Sequence, residues 1–383
     1  MTIQIDGTNT LNKGAELMLY AVLQQIERNC PTSNVIYNPS NRDKTDISYV
    51  PENINLKKRW IQAKGRYPEA IFRKLGLNYS YFTSKHPLKN IDVMFDAGGF
   101  QFSDQWSYSN ERLRVMETYY SKLKAYGTKL IFLPQALGPF ESKSGKKTVE
   151  ILKKYADVVI AREPVSYDFM IEAGFPKTKL WLYPDFTLRV RIDNISHSRD
   201  VTGGACFIPN KKMLTHTTSK KETYLKLFRS LINISKERGL NPFLLNHEGK
   251  GDYDICLRIA EGLDFKLPIL TNLNAYEVKS VIGKSLFVVS SRFHGVASSL
   301  NQGVPCLATS WNHKYGELFK DFGIYDSILK VEDKSFDDNV NLFMSFLNEE
   351  SMEKQRATLK SKRAEIGDRI DEMWDKIWNT IEN

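Results

Sequence analysis

The sequence predicts an α/β protein built as two halves of similar size that face each other across a cleft. Two observations carry this. Apolar runs of strand length alternate with amphipathic stretches of helix length, the signature of parallel sheets covered by helices on both faces. The alternation stops once, near residues 188–203, where RVRIDNISHSRDVTGG is polar, poor in apolar residues and closed by a glycine pair. Such a stretch reads as a linker between domains.

The elements follow in order. Met1-Thr-Ile-Gln-Ile-Asp6 reads as a first strand, since it lacks the basic-then-apolar order of a signal peptide. A polar turn, DGTNTLNKGAELML, carries Asn9, Asn12 and Gly14 into an apolar helix predicted over 17–27. Strands are predicted at 92–95, 129–133 and 158–160, with helices over 112–126 and 147–155 between them. After the linker the pattern restarts at 205–208, continues with strands at 242–245, 286–289 and 304–308, and places helices over 221–238 and 253–262. The stretch from 336 to 383 is charged and reads as helical throughout. Domains are therefore expected at 1–190 and 200–335, followed by C-terminal helices over 336–383.

Composition narrows the function classes. At 383 residues the chain is too long for one ordinary core, and 42% hydrophobic with 26% charged residues is the balance of a globular protein. No apolar window approaches the ~20 residues that a membrane span needs. The four cysteines, Cys30, Cys206, Cys256 and Cys306, form no CxxC pair. That spacing argues against zinc and against a disulfide framework, and suits a reducing cytoplasm. The net charge of +9 favours anionic partners. No basic–aromatic array of a nucleic-acid module is present, so nucleic acid is not expected as a partner. The small basic clusters Lys57-Lys58-Arg59, Lys146-Lys147 and Lys211-Lys212 read as solvated faces.

In open parallel sheets ligands bind where strands end and helices begin, because loop amides and helix N-termini point there. The residues after each strand are therefore the candidates. In SRFHGVASSLNQGVP, Arg292 and His294 follow an apolar run two positions apart, so extended backbone would send both to one side. Gly295 permits a tight turn into a helix and Gly303 suits its end. A guanidinium grips carboxylate or phosphate through paired hydrogen bonds, and an imidazole exchanges a proton near neutral pH. Lys314, after the next strand, would bring a second cation to the same place. Arg162 ends IAR before Glu163 and Pro164, Asp185 ends LWLYPD, and Asp96 precedes Ala97, Gly98 and Gly99, where two glycines allow a ligand close to the backbone. In LLNHEGKGDYD the residues His247, Glu248 and Asp252 match no zinc spacing and read as a polar loop. Neither GxGxxG nor a P-loop is present.

NKGAELML near the start, DAGGF at 96–100, ARE at 161–163, PD at 184–185 and, above all, SRFHG at 291–295 with the VASSLNQGVP that follows resemble the polysaccharide pyruvyl transferase family. The resemblance implies a GT-B-like pair of Rossmann-like domains, with acceptor on the N-terminal side and phosphoenolpyruvate on the C-terminal side. It implies transfer of a pyruvyl group to sugar hydroxyls of a cell-surface polysaccharide or its lipid-linked precursor, forming a ketal and releasing phosphate. It assigns roles to Arg292, His294, Arg162 and Lys314, and the reading of the strand-end loops adds Asn12, Gly98, Gly99 and Gly295 to the expected substrate site. Many members carry Asp after the glycine of the first motif; here Ala15 stands there, with Glu16 next. The base that receives the acceptor proton is then Glu16 or Asp96, and His294 is the acid that protonates the methylene carbon. The scheme needs no metal and no cofactor, because the converging cations offset the phosphate charge. A nucleotide-sugar glycosyltransferase of the same architecture, or a non-catalytic binder of anionic glycans, would use the same cations. Peripheral contact with the inner face of the cytoplasmic membrane is expected from net charge alone.

Overall fold

In the computed structural model, residues 1–39, 47, 50–58, 88–192, 201–215, 221–309 and 314–382 are described. The chain forms two compact units, Met1–Val190 with Arg369–Asn383, and Arg191–Asp368. The linker expected over 188–203 falls partly outside the described residues.

The first unit holds a seven-stranded sheet of β1 (Thr2–Asp6), β2 (Asn34–Tyr37), β3 (Asn55–Lys58), β4 (Val93–Asp96), β5 (Lys129–Gln135), β6 (Val158–Ala161) and β7 (Leu180–Leu182), in the order β3-β2-β1-β4-β5-β6-β7. The second holds β8 (Ala205–Ile208), β9 (Phe243–Leu245), β10 (Ile269–Leu270), β11 (Phe287–Ser290), β12 (Cys306–Thr309) and β13 (Ile328–Leu329), in the order β10-β9-β8-β11-β12-β13. Among the described residues every strand pairing is parallel. The central strands β4, β6, β8, β11 and β12 are buried along their whole length, which is why they read as continuous apolar runs rather than as alternation.

In both sheets the chain builds outward in one direction and then returns to the other side of its first strand. The reversal lies between β1 and β4 in the first unit and between β8 and β11 in the second. At such a switch point neighbouring loops leave in opposite directions and open a crevice for ligands. Of the strand-end residues singled out in the sequence, Asp96 follows β4 and Arg292 and His294 follow β11, at these two places. Arg162 instead follows β6, Asp185 follows β7 and Lys314 follows β12.

Capping side chains explain where the helix starts depart from periodicity. The first helix begins at Lys13 rather than at 17, because Asn12 accepts from the amides of Gly14 and Ala15 at 2.9 and 3.2 Å. Ser142 likewise starts a helix at Lys143 through the Gly145 amide. The stretch read as a polar loop is helical from Gly249 to Ala260, so Asp252 sits in a first turn, not in a loop. Gly249, Gly251 and the polar residues around them hide that start.

The C-terminal stretch forms two helices, Phe336–Phe346 and Glu349–Glu382. It is not a separate body: residues up to Asp368 cluster with the second unit and those from Arg369 with the first. Among the described residues no helix is long and apolar enough to cross a membrane.

Candidate active site

At the first switch point Asp6 and Asp96 are register partners on adjacent strands. Asp6 is buried and accepts from Gln4 at 2.8 Å, Asn38 at 3.0 Å and Tyr119 at 2.6 Å. Asp96 accepts from the Gly98 amide at 3.0 Å, and Gln101 donates to both of its oxygens at 2.5 Å. Burial pushes the Asp96 carboxyl up to about 7; the Gly98 amide pulls it back, the neighbouring Asp6 carboxylate pushes it further, and Gln101 pulls it back. A carboxyl poised there exchanges a proton at neutral pH.

Gly7 makes this approach possible: a Cβ on it would stand 2.5 Å from Asp96 Oδ1 and 2.7 Å from the Gly98 nitrogen. Gly98 and Gly99 are close-packed against the protein itself, with Gln101 and Met18 filling the space their side chains would take.

The raised Asp96 pKa has a measurable consequence. Its folded value lies above the unfolded one, so between about pH 4 and 7 the native state keeps a proton that the unfolded chain has released. This group therefore favours folding most in acid and progressively less as pH rises through that window. Asp96→Asn is expected to be more stable than the wild type at pH 8, on the order of 2–4 kcal/mol, and to match it near pH 4. Urea unfolding at the two pH values checks this; a difference independent of pH would refute the shifted carboxyl.

Glu16 is also buried but is engaged within its own helix, by Lys13 at 2.9 Å and by the Tyr20 hydroxyl at 2.5 Å. Arg162, after β6, is buried and donates to Glu163 at 3.2 Å and to Asp185 at 3.3 Å. Asp185 in turn caps the short helical turn Phe186–Arg189 by accepting from Thr187. Arg162 is thus the centre of a buried ionic network in the first unit, facing two carboxylates.

At the second switch point Ser291 joins the loops. Its carbonyl accepts from Asn210 at the end of β8 and from Tyr315, both at 2.8 Å, and its hydroxyl bonds Tyr224 at 2.7 Å and Thr309 at 2.5 Å. Arg292 is extended, but Phe293 already begins the helix Phe293–Gln302. Strand alternation therefore ends before His294, so the expectation that extended backbone sends Arg292 and His294 to one side does not hold: Arg292 is the residue before the helix and His294 lies in its first turn. Gly295 lies inside that helix, so its role is not the turn. A Cβ there would meet Ser290 Oγ at 2.6 Å and Ile208 Cδ1 at 3.1 Å, and glycine lets the first turn press onto the strand ends. Gly303 closes the helix in the left-handed conformation.

The sequence does not reveal what holds Arg292. Asp252 accepts from its Nε at 2.6 Å and from NH2 at 2.7 Å, and Glu248 accepts from NH1. Glu248 occupies a helix N-cap position without capping through its side chain. Burial works against the Arg292 charge, yet the hydrogen bonds and charge of Asp252, with Glu248, outweigh it and hold the guanidinium above its usual range. Lys314 is the first residue of the helix Lys314–Asp321. Its side chain, like Trp311 and His313, lies outside the described residues.

Comparison with known proteins agrees with this architecture. The polysaccharide pyruvyl transferase family model matches residues 12–313. The amylovoran biosynthesis protein AmsJ of Erwinia amylovora is 22% identical over 317 residues, covering 76% of this chain and 73% of AmsJ. Among solved structures, HepE of Anabaena in complex with UDP and glucose is similar with a TM-score of 0.61 at 12% identity, covering 100% of this chain and 99% of that one. A UDP-N-acetylglucosamine 2-epimerase assigned in Listeria monocytogenes reaches 0.62 at 12% identity, covering 100% and 96%. At such identities these two speak for the fold alone, a GT-B-like pair of Rossmann-like sheets. The family match across both sheets carries the assignment: the chain belongs to the polysaccharide pyruvyl transferase family and is a transferase of polysaccharide biosynthesis.

Proposed function

We propose that the enzyme moves a pyruvyl group from phosphoenolpyruvate onto two hydroxyls of a sugar, in a cell-surface polysaccharide or its lipid-linked precursor, and releases phosphate. The observation that carries this reading is the pair Arg292 and His294 at the start of a ten-residue helix on the second switch point. Helix-terminal amides and a guanidinium favour an oxyanion, and an imidazole beside them can move a proton. Arg292 is the ligand of the donor's negative charge, and His294 delivers a proton to the methylene carbon, so that C2 becomes the electrophile.

One acceptor hydroxyl then bonds to C2 and gives up its proton. Asp96 is the better base of the two carboxylates, because it is half-ionised near neutral pH while Glu16 is engaged by Lys13 and Tyr20. The second hydroxyl bonds to the same carbon as the bond from C2 to the phosphate oxygen breaks, and its proton leaves on the departing phosphate. The ketal and inorganic phosphate are the products.

The test is incubation of the full chain with phosphoenolpyruvate or a UDP-sugar, each with a panel of candidate acceptors. Acceptor-dependent phosphate release, with a mass gain of one pyruvyl group on the sugar, supports the proposal. Release of UDP with no phosphate would overturn it in favour of glycosyl transfer.

A further inference from the structure

The sequence presents Lys212 as half of a solvated basic pair, yet in the fold it is half-buried on the turn that follows β8. Two side chains fix that turn against the loop after β11. Asn210 is buried, donates to the Ser291 carbonyl at 2.8 Å and accepts the Lys212 amide at 2.9 Å. Asp252 accepts the Lys211 amide at 3.0 Å on the same oxygen that takes Arg292 NH2. The backbone of Lys212 is thereby tied through Asn210 to the loop after β11, and the amide beside it shares Asp252 with Arg292. Its amine lies within the fields of Arg292, Glu248 and Asp252: burial and then the Arg292 charge lower its pKa, and the two carboxylates raise it.

Charge balance gives this placement a purpose. Arg292 faces two carboxylates, so the cluster without a further cation is net negative and does not attract an entering anion. Arg292 does retain donors: five N–H groups less the three given to Asp252 and Glu248 leave one on NH1 and one on NH2. Such remaining donors can bond oxygens of a phosphate or carboxylate. A polyanionic donor needs a further cation beside it, and a lysine brought out of water next to an arginine becomes favourable once an anion joins the pair.

We infer that Lys212 is the second cation of this subsite and holds the phosphate of the donor together with Arg292. The identity of that donor rests on the function proposed above; the subsite itself does not.

The experiment is calorimetric titration of the wild type, Lys212→Met and Lys212→Arg with phosphoenolpyruvate, inorganic phosphate and UDP. Methionine keeps the length and apolar stem of the side chain, and an unchanged melting temperature certifies its fold. Phosphoenolpyruvate binding is expected to weaken about tenfold or more in Lys212→Met and to stay within about threefold in Lys212→Arg. Equal affinities of wild type and Lys212→Met for every anion would overturn the inference. Wild-type binding of UDP but not phosphoenolpyruvate, lost in Lys212→Met, would keep Lys212 as an anion ligand and sink the donor reading instead.

Discussion

His294→Gln is expected to lower turnover roughly 10²–10⁴-fold while leaving phosphoenolpyruvate affinity within about tenfold. The expectation follows from the role given to the imidazole, proton delivery to carbon, which is realised only in the transition state. Glutamine retains hydrogen-bonding capacity but cannot deliver that proton. Aromatic neighbours hold the ring in place. It meets Phe293 edge-on with centroids 5.4 Å apart, and Phe293 meets Tyr315 edge-on at 5.8 Å. Steady-state kinetics with calorimetry separates the alternatives. A Gln variant with most of the wild-type rate makes His294 a positioning residue, with the acid elsewhere. A folded His294→Ala variant that no longer binds phosphoenolpyruvate makes it an anion ligand instead.

Asp252→Ala is expected to destabilise the second unit by about 3 kcal/mol, the cost of removing one of the two carboxylates that hold a largely buried guanidinium. Asp252 is fully buried, and the Arg292 side chain is 14% exposed. Removing the carboxylate leaves two guanidinium N–H groups and the Lys211 amide without their acceptor. Asp252→Asn, which keeps the shape and one acceptor oxygen, should lose less. Urea unfolding followed by circular dichroism reads both, and a loss below about 1 kcal/mol in the alanine variant would mean that Arg292 finds other partners. Because Asp252 also fixes the position of Arg292, donor affinity should fall in the same variant.

Local signals make the strand ends legible. A run such as Leu286 to Val289 marks a buried strand, so Arg292 and His294 can be placed after it from sequence alone, and Asp96 likewise after Val93–Phe95. What surrounds them is hidden, because it comes from far along the chain. Asp252 and Glu248 lie 40 and 44 residues from Arg292, and no local pattern couples them. The raised proton affinity of Asp96 comes first from burial in the folded sheet and further from Asp6, brought alongside by the pairing of β1 with β4. Gly295 is visible as a special position, but its reason is steric contact with Ser290 and Ile208, which spacing does not encode. Lys212 resembles any exposed lysine until β8 and β11 become neighbours.

The last turns of the helix Glu349–Glu382 belong to the first unit's core. Trp374 meets Phe95 and Phe186 edge-on at 5.9 and 6.2 Å, Trp378 meets Phe95 at 5.8 Å, and Asp371 forms a paired bridge with Arg189. Domains usually fold in turn as the ribosome delivers them, the N-terminal one first. Here the first sheet must wait with Phe95 and Phe186 uncovered while about 180 further residues are translated, at a pace of roughly 5–20 residues per second. For many seconds of its synthesis the nascent chain therefore exposes an aromatic surface to solvent, an opening for chaperones and for aggregation that closes only when Trp374 and Trp378 leave the exit tunnel.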